Sequence, residues 1–232
     1  MPIQQFRYHA DNLGYVIHDR THAMAVDGGA VSAILGFLAE AALNLVSVTH
    51  THRHPDHLTG TDDLIRETGA RHLDFSGQSA DTSVEVGRMR VQVMPTPGHT
   101  DDAVCFAAED WLVTGDTLFN GTVGNCFSGD LEAFYHSILR LLAFPDDTRI
   151  YGGHDYVRQS MAAARRMEPE NPDIESYLAA YDPYHVVSTL GAERRVNPYL
   201  RFDVAPMIAL MTRRGLSTDT RYRRWLGVMS LE

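Results

Sequence analysis

Cysteine is scarce: Cys105 and Cys126 are the two thiols in 232 residues. Two cysteines cannot make the disulfide framework that staples small secreted domains, so reduced thiols in the cytoplasm are the expectation. Long apolar runs are missing as well. No stretch approaches the roughly 20 apolar residues that a membrane span needs. The leading MPIQQFRYHADNLGYVIHD holds no apolar core of the kind a secretory leader carries. Positive charge is in deficit, with 20 Lys and Arg against 30 Asp and Glu and a formal net charge of −10. That balance argues against a broad basic surface for nonspecific nucleic-acid binding. No internal repeat and no low-complexity segment interrupts the chain. What remains is 44% hydrophobic and 22% charged, a globular composition with length for one large core or a core plus a small appendage.

Histidine is where the chain is rich, and it is concentrated. Residues 52–57 read His52, Arg53, His54, Pro55, Asp56, His57, so three imidazoles and a carboxylate fall within six positions. Only the register starting at His52 reads His-x-His-x-Asp-His. Imidazole with carboxylate suits borderline first-row metals such as zinc, iron or manganese. The preceding LNLVSV, residues 43–48, is a short apolar β-branched run and reads as a buried strand. The motif therefore leaves a strand end as a loop. In extended backbone His52 and His54 point to one side and can reach one ion, and Pro55 biases His54 toward that conformation. Asp56 and His57, past the proline, turn toward a second position.

Three further strand ends carry donors in the same manner. TPGHT places His99 after the strand 89–94, TGDT places Asp116 after 111–114, and GGH places His154 after 149–151. A lone histidine is more often a satisfied buried side chain than a ligand. Four strand ends along one sheet edge, however, supply seven donors, a count that suits two metals sharing one carboxylate. His9, His18, His22, His50, His72, His136 and His185 lack such a setting and are read as structural, although His50 lies two residues before the cluster.

Strand patterns at 6–8, 13–18 and 24–27 precede a helix over 31–43. A helix over 61–69 follows the histidine loop, then a hairpin of 81–86 and 89–94, strands 103–107 and 111–114, a helix over 131–144 and the strand 149–151. Beyond Asp155 the strands stop, and 157–167, 174–181, 205–213 and 220–228 read as helices. The expected architecture is an α/β sandwich, residues 1–154, carrying the metal site, with a small helical C-terminal region, residues 155–232.

These motifs, in this order, resemble the metallo-β-lactamase superfamily. The resemblance implies an αβ/βα sandwich with a binuclear site at one edge. Carried over position by position, His52, His54 and His99 hold the first ion, Asp56, His57 and His154 hold the second, and Asp116 bridges them. Two divalent ions are implied, zinc first, with iron or manganese as alternatives. Asp27 matches the acid behind the site in a VDPG-like turn, with Gly28 in place of the proline. TGDTLF, FPDDTRIYGGHDY, MEPENP, STLGAERRVNPYLR and RYRRW resemble glyoxalase II, the hydroxyacylglutathione hydrolases, across nearly the whole chain.

That closer resemblance implies a small thioester substrate, cleaved by a metal-bound hydroxide with Asp56 and Asp116 as the catalytic carboxylates. It also implies a C-terminal region that closes over the thiol, with Asn125, Phe127, Tyr156, Arg194 and Arg195 as its contacts. Two departures stand out. Asn125 replaces a Lys or Arg that meets a substrate carboxylate, and the segment 71–80 is trimmed. Losing a charge-assisted bond costs roughly 1.5–3 kcal/mol.

Rival readings remain open. A persulfide dioxygenase of the same superfamily would use one iron on His52 or His54 with His99 and Asp116. A lactonase or phosphodiesterase of the same superfamily is another hydrolase reading. A non-catalytic metal-bound module would keep the ligands without turnover. The long C-terminal motif weighs against the dioxygenase, and the complete donor set against the inert module.

Overall fold

A computed structural model describes residues 3–231. Two sheets stack face to face. The first runs β1 (Ile3–Tyr8), β2 (Asn12–His18), β3 (His22–Val26), β4 (Asn44–Thr49) and β5 (Arg71–His72) in that spatial order. Its first three strands are antiparallel, and β4 and β5 continue parallel to β3. The crossover from β3 to β4 is α1 (Val31–Glu40). The chain after β4 folds into the single turn α2 (Pro55–Leu58) and α3 (Thr61–Thr68). The second sheet holds β6 (Thr82–Val86), β7 (Met89–Pro95), β8 (Val104–Ala108), β9 (Trp111–Gly115), β10 (Arg149–Gly152) and β11 (Ser188–Thr189), ordered β11-β10-β9-β8-β7-β6. The parallel pair β9 and β10 is joined through α4 (Leu131–Leu141). Asp130 caps that helix by accepting from the Ala133 N–H at 2.9 Å.

Alternation along the strands explains the layers. Tyr15 and Ile17 of β2 and Met24 and Val26 of β3 pack between the sheets with Val91, Val93, Phe106 and Val113. The intervening Val16, Ala23 and Ala25 face outward onto Ile34 and Leu38 of α1 and Leu64 of α3. In the second sheet Cys105, Ala107, Leu112 and Ile150 face outward onto Phe134, Ile138 and Leu141 of α4. The result is helix, sheet, sheet, helix, as expected for the sandwich. Phe106 is fully buried in the inter-sheet core. Its truncation to Ala should cost about 3–5 kcal/mol, and an unchanged denaturation midpoint would contradict this account of the core.

The C-terminal region contains α5 (Val157–Met167), α6 (Asp173–Ala180), α7 (Leu190–Val196), α8 (Ala205–Arg213) and α9 (Arg221–Met229). It does not enclose a core of its own. Val157, Met161, Ile174 and Val196 complete the inter-sheet core, while Leu190, Met207, Met211 and Trp225 join the outer one. It also supplies β11, a strand that the helical pattern past Asp155 does not reveal. Among the described residues no helix is long and apolar enough to cross a membrane.

Candidate metal centre

The donors leave strand ends, although on two sheets rather than along one edge. The histidine loop follows β4 of the first sheet. His99, Asp116 and His154 follow β7, β9 and β10 of the second. Asp27, fully buried at the end of β3, organises the loop. Its carboxylate accepts from the Thr51 N–H at 2.8 Å and the Thr51 hydroxyl at 2.7 Å. Asp27 lies at φ +52°, a conformation that non-glycine residues seldom adopt. His54 is extended (φ −67°, ψ 143°) and precedes α2, whose first residue is Pro55. The turn of α2 carries Asp56 and His57 back into the site. Two glycines let the strand ends meet. A Cβ on Gly115 would lie 2.5 Å from the Thr51 Cβ, and one on Gly153 would lie 2.2 Å from Asp116 Oδ1.

Two groups of donor atoms converge, each with its atoms within 4.8 Å of one another: His52, His54, His99 and Asp116, and then Asp56, His57 and His154. In the first, His54 Nδ1 lies 2.9 Å from His52 Nε2 and 3.0 Å from His99 Nε2. In the second, His154 Nε2 lies 3.3 Å from His57 Nε2 and 3.4 Å from Asp56 Oδ2. Asp116 reaches both groups. Its Oδ2 is 3.5 Å from His99 Nε2 and from His154 Nε2, and its Oδ1 is 3.4 Å from His57 Nε2.

Behind this convergence the other ring nitrogens of four histidines are held. His57 Nδ1 lies 3.0 Å from Asp27 Oδ2, His99 Nδ1 2.9 Å from the Asn125 carbonyl, His154 Nδ1 3.0 Å from Asp11 Oδ1, and His52 Nδ1 3.1 Å from Thr51 Oγ1. Asn12 Nδ2 donates to Asp56 Oδ2 at 2.8 Å. Outward nitrogens anchored and inward nitrogens crowded on one another is the pattern of metal-ligating histidine. Asp116 Oδ1 is buried without a hydrogen-bond partner. A divalent ion satisfies both conditions, so the donor set fits one.

Charge in the site follows burial and neighbours. Burial, with His57 beside it, pushes His52 down to about 3, leaving its imidazole neutral. Burial also lowers His99, against the pull of Asp116. For Asp116 burial works against the charge, but His57, 3.4 Å away, with His154 and His52, outweighs it and holds the carboxyl at about 2. His57 is the exception among the imidazoles. Burial opposes its proton, yet Asp27 and Asp116 keep it well above the ordinary histidine value.

Of the residues expected to meet substrate, three lie beside these donors. Phe127 stands with its ring 5.5 Å from His54 and 5.2 Å from His99, and is 66% exposed. Tyr156 stacks on His154 at 5.1 Å and 5°. Asn125 is exposed and holds His99 through its backbone. Arg194 and Arg195 are not brought to the donors. Arg194 pairs with Asp146 at 2.9 Å and donates to the Leu142 carbonyl, and Arg195 faces Asp173 at 3.6 Å. Arg194 thus faces a carboxylate and a backbone carbonyl at the end of α4, and Arg195 is exposed beside α6. Asp11 and Asn12 are the residues that reasoning overlooked. They enter because β2 begins against the 153–155 turn, with the Leu13 N–H donating to the Gly153 carbonyl at 2.8 Å and the Asp155 N–H to the Asp11 carbonyl at 2.9 Å. An Asp-Asn pair before an apolar strand was the available signal, and it is a common one.

A family profile described as the metallo-beta-lactamase superfamily matches residues 73–154. The hydroxyacylglutathione hydrolase of Pseudoalteromonas translucida is 32% identical over 223 residues, covering 89% of this chain and 87% of that protein. The hydroxyacylglutathione hydrolase of Neisseria meningitidis serogroup C is 36% identical over 220 residues, covering 88% and 86%. Among solved structures, ETHE1 from Myxococcus xanthus superposes with a TM-score of 0.72 at 25% identity, over 100% of this chain and 91% of that one. A metallo-beta-lactamase from Staphylococcus aureus superposes at 0.70 with 19% identity, over 99% and 66%, a likeness of fold.

Proposed function

The chain belongs to the metallo-β-lactamase superfamily and, within it, to the hydroxyacylglutathione hydrolase family, and from that premise we propose that it hydrolyses the thioester of a small acylated thiol at a two-ion centre. The observation that carries the proposal is Asp116, one carboxylate within 3.5 Å of His99 and His154 and within 3.4 Å of His57, and so in reach of both donor groups. His52, His54, His99 and Asp116 would hold one ion and Asp56, His57 and His154 a second, with Asp116 in reach of both. Zinc suits this mixture of imidazole and carboxylate. Bound divalent ions supply a water whose pKa falls from about 15.7 to about 7, and a Lewis acid for the carbonyl.

The residues of the chain do the rest. Asp116 sets the separation of the two positions. Asp56 is turned by Asn12 so that its Oδ2 faces His57 and His154, and it accepts a hydrogen bond from the attacking water. Phe127 and Tyr156 wall the cleft beside the donors. They shield the reacting carbonyl from bulk water and offer aromatic surface to the thiol half. The leaving group needs no strong acid, because a thiol ionises near about 8.5. Asn125 meets the thiol half with a neutral amide, which favours a thiol less anionic than glutathione. Arg194 and Arg195 act through the packing of α7 and not by contact with substrate.

A substrate panel with metal analysis tests this reading. Lactoylglutathione, thioesters of smaller thiols, a lactone and glutathione persulfide are offered to the metal-replete protein, with thiol release and oxygen uptake followed together. Thiol release with close to two ions per chain is expected. Oxygen uptake on persulfide with a single iron would replace the hydrolase with the dioxygenase.

A further inference from the structure

Glu193 of α7 is fully buried, and its partners are neutral. Its Oε2 accepts from the Gly121 N–H at 2.8 Å and from Asn197 Nδ2 at 3.1 Å. Its Oε1 accepts from the Tyr177 hydroxyl at 2.5 Å and the Ser188 hydroxyl at 2.6 Å. Asn197 Nδ2 also donates to the Thr122 carbonyl at 3.2 Å. Apolar side chains would fill this volume without the desolvation that a buried carboxylate suffers. What the carboxylate adds is a fixed geometry for four donors that come from α6, β11, the end of α7 and the loop after β9.

That loop leads to the metal centre. Leu118 and Val123 form a β-bridge and the Phe119 N–H donates to the Thr122 carbonyl at 2.9 Å, so Asn120 and Gly121 are the tip of a tight hairpin. Gly121 takes φ +96°, and a Cβ there would lie 2.7 Å from Met161 Cε. One end of the hairpin is Asp116. Past the other end, Gly124 packs so closely that a Cβ would lie 2.0 Å from the Asp116 carbonyl and 2.7 Å from His99 Nδ1. Next comes Asn125, whose carbonyl takes His99 Nδ1 at 2.9 Å. Glu193 thus grips the middle of a segment whose two ends place Asp116 and His99.

We propose that Glu193 is a positioning residue of the metal centre: by holding Gly121 from α7 it sets Gly124 and Asn125 against Asp116 and His99. The C-terminal region then helps to build the site besides covering it. The inference rests on reading Asp116 and His99 as metal ligands, and not on the identity of the substrate.

The test uses the full chain loaded with Co²⁺. Its visible absorption reports coordination geometry, and competition with a chromophoric chelator gives affinity. Thermal midpoints are measured in parallel. Glu193→Ala should shift the absorption bands and weaken the hold on one ion about 10-fold, the lower end of what outer partners contribute. Glu193→Gln keeps an oxygen for the Gly121 N–H and should restore both. Tyr177→Phe removes a donor from Oε1 and leaves the Gly121 contact, so it should lower the midpoint with native bands. Native bands and affinity in Glu193→Ala would overturn the proposal, and so would shifted bands in Tyr177→Phe. If Glu193→Ala does not fold, Asn197→Ala, which frees the Thr122 carbonyl, is read by the same criteria. A protein that turns over no thioester yet shows the shift would count against the substrate alone.

Discussion

On the strand-end side of the cleft the inward donors are braced from behind, and on the thiol side the side chains stand nearly free. His52, His57, His99 and His154 each have a polar partner on the outward nitrogen. Phe127, by contrast, is 66% exposed with two imidazole rings as neighbours. Asn125 belongs to both sides, since its carbonyl braces His99 while the residue itself is exposed. Restraint is concentrated where misplacing a donor by an ångström would cost chemistry. It is relaxed where the requirement is to admit one thiol over another. Substrate preference can then drift by exchange of single exposed residues while the donor set stays put.

The sharpest way to break the contrast is Asp116→Ala. Turnover should fall by more than the about 100-fold that losing an outer partner costs, with ion content dropping below two per chain. Near-native turnover in metal-free buffers would end the shared-carboxylate account. Asn12→Ala comes next, with about a 10- to 100-fold loss in activity or affinity, because Asp56 loses the donor that turns it. Chelator competition checks this, and an unchanged affinity would make Asn12 a bystander.

The third effect concerns protons. His57 is held well above its ordinary value, with burial opposed by Asp27 and Asp116. In the metal-free protein the stability from that charge is complete below about 6.5 and is lost as pH rises through the raised folded value. A bound ion needs the neutral imidazole, so uptake should release a proton at neutral pH and affinity should climb with pH. Calorimetry in two buffers of different ionisation enthalpy measures that proton, and zero release would contradict the charge assignment.

On the free side the effects are smaller. Asn125→Lys should lower KM for glutathione thioesters by roughly 10-fold, matching a charge-assisted bond of about 1.5 kcal/mol, with kcat little changed. Arg194→Ala and Arg195→Ala should leave KM where it is and cost at most about 1 kcal/mol of stability, as exposed ion pairs do. A raised KM in either would return them to the substrate.

The seven donors were legible because their spacing is local: each sits just past a short apolar run, next to glycine or proline, and the histidine loop crowds four of them into six residues. The sandwich was legible for the same reason, since β2, β3 and β8 are short apolar runs, buried nearly throughout, as strands covered on both faces are. What pattern could not carry was association across the chain. Nothing local in Asp11 and Asn12 says that the 153–155 turn will dock on them. The pair Ser188–Thr189 is too short to announce a strand. Arg194 and Arg195 have the right chemistry for an anion clamp, and only the packing of α7 reveals that Asp146 and Asp173 already face them.

The donors straddle two sheets, and this gives the ions a mechanical office. His52, His54, Asp56 and His57 travel with β4, while His99, Asp116 and His154 travel with β7, β9 and β10. Ions held by both sets would tie the two sheets together. By mass action, ion at 100 times its Kd would stabilise the folded chain by about 2.7 kcal/mol. Stripping the ions should speed amide exchange first at the histidine loop and the 153–155 turn, and leave the Gly87–Arg88 turn, at the far end of β7 from His99, at its native rate. Metal supply would then govern how long the protein survives in a cell, and not just how fast it works.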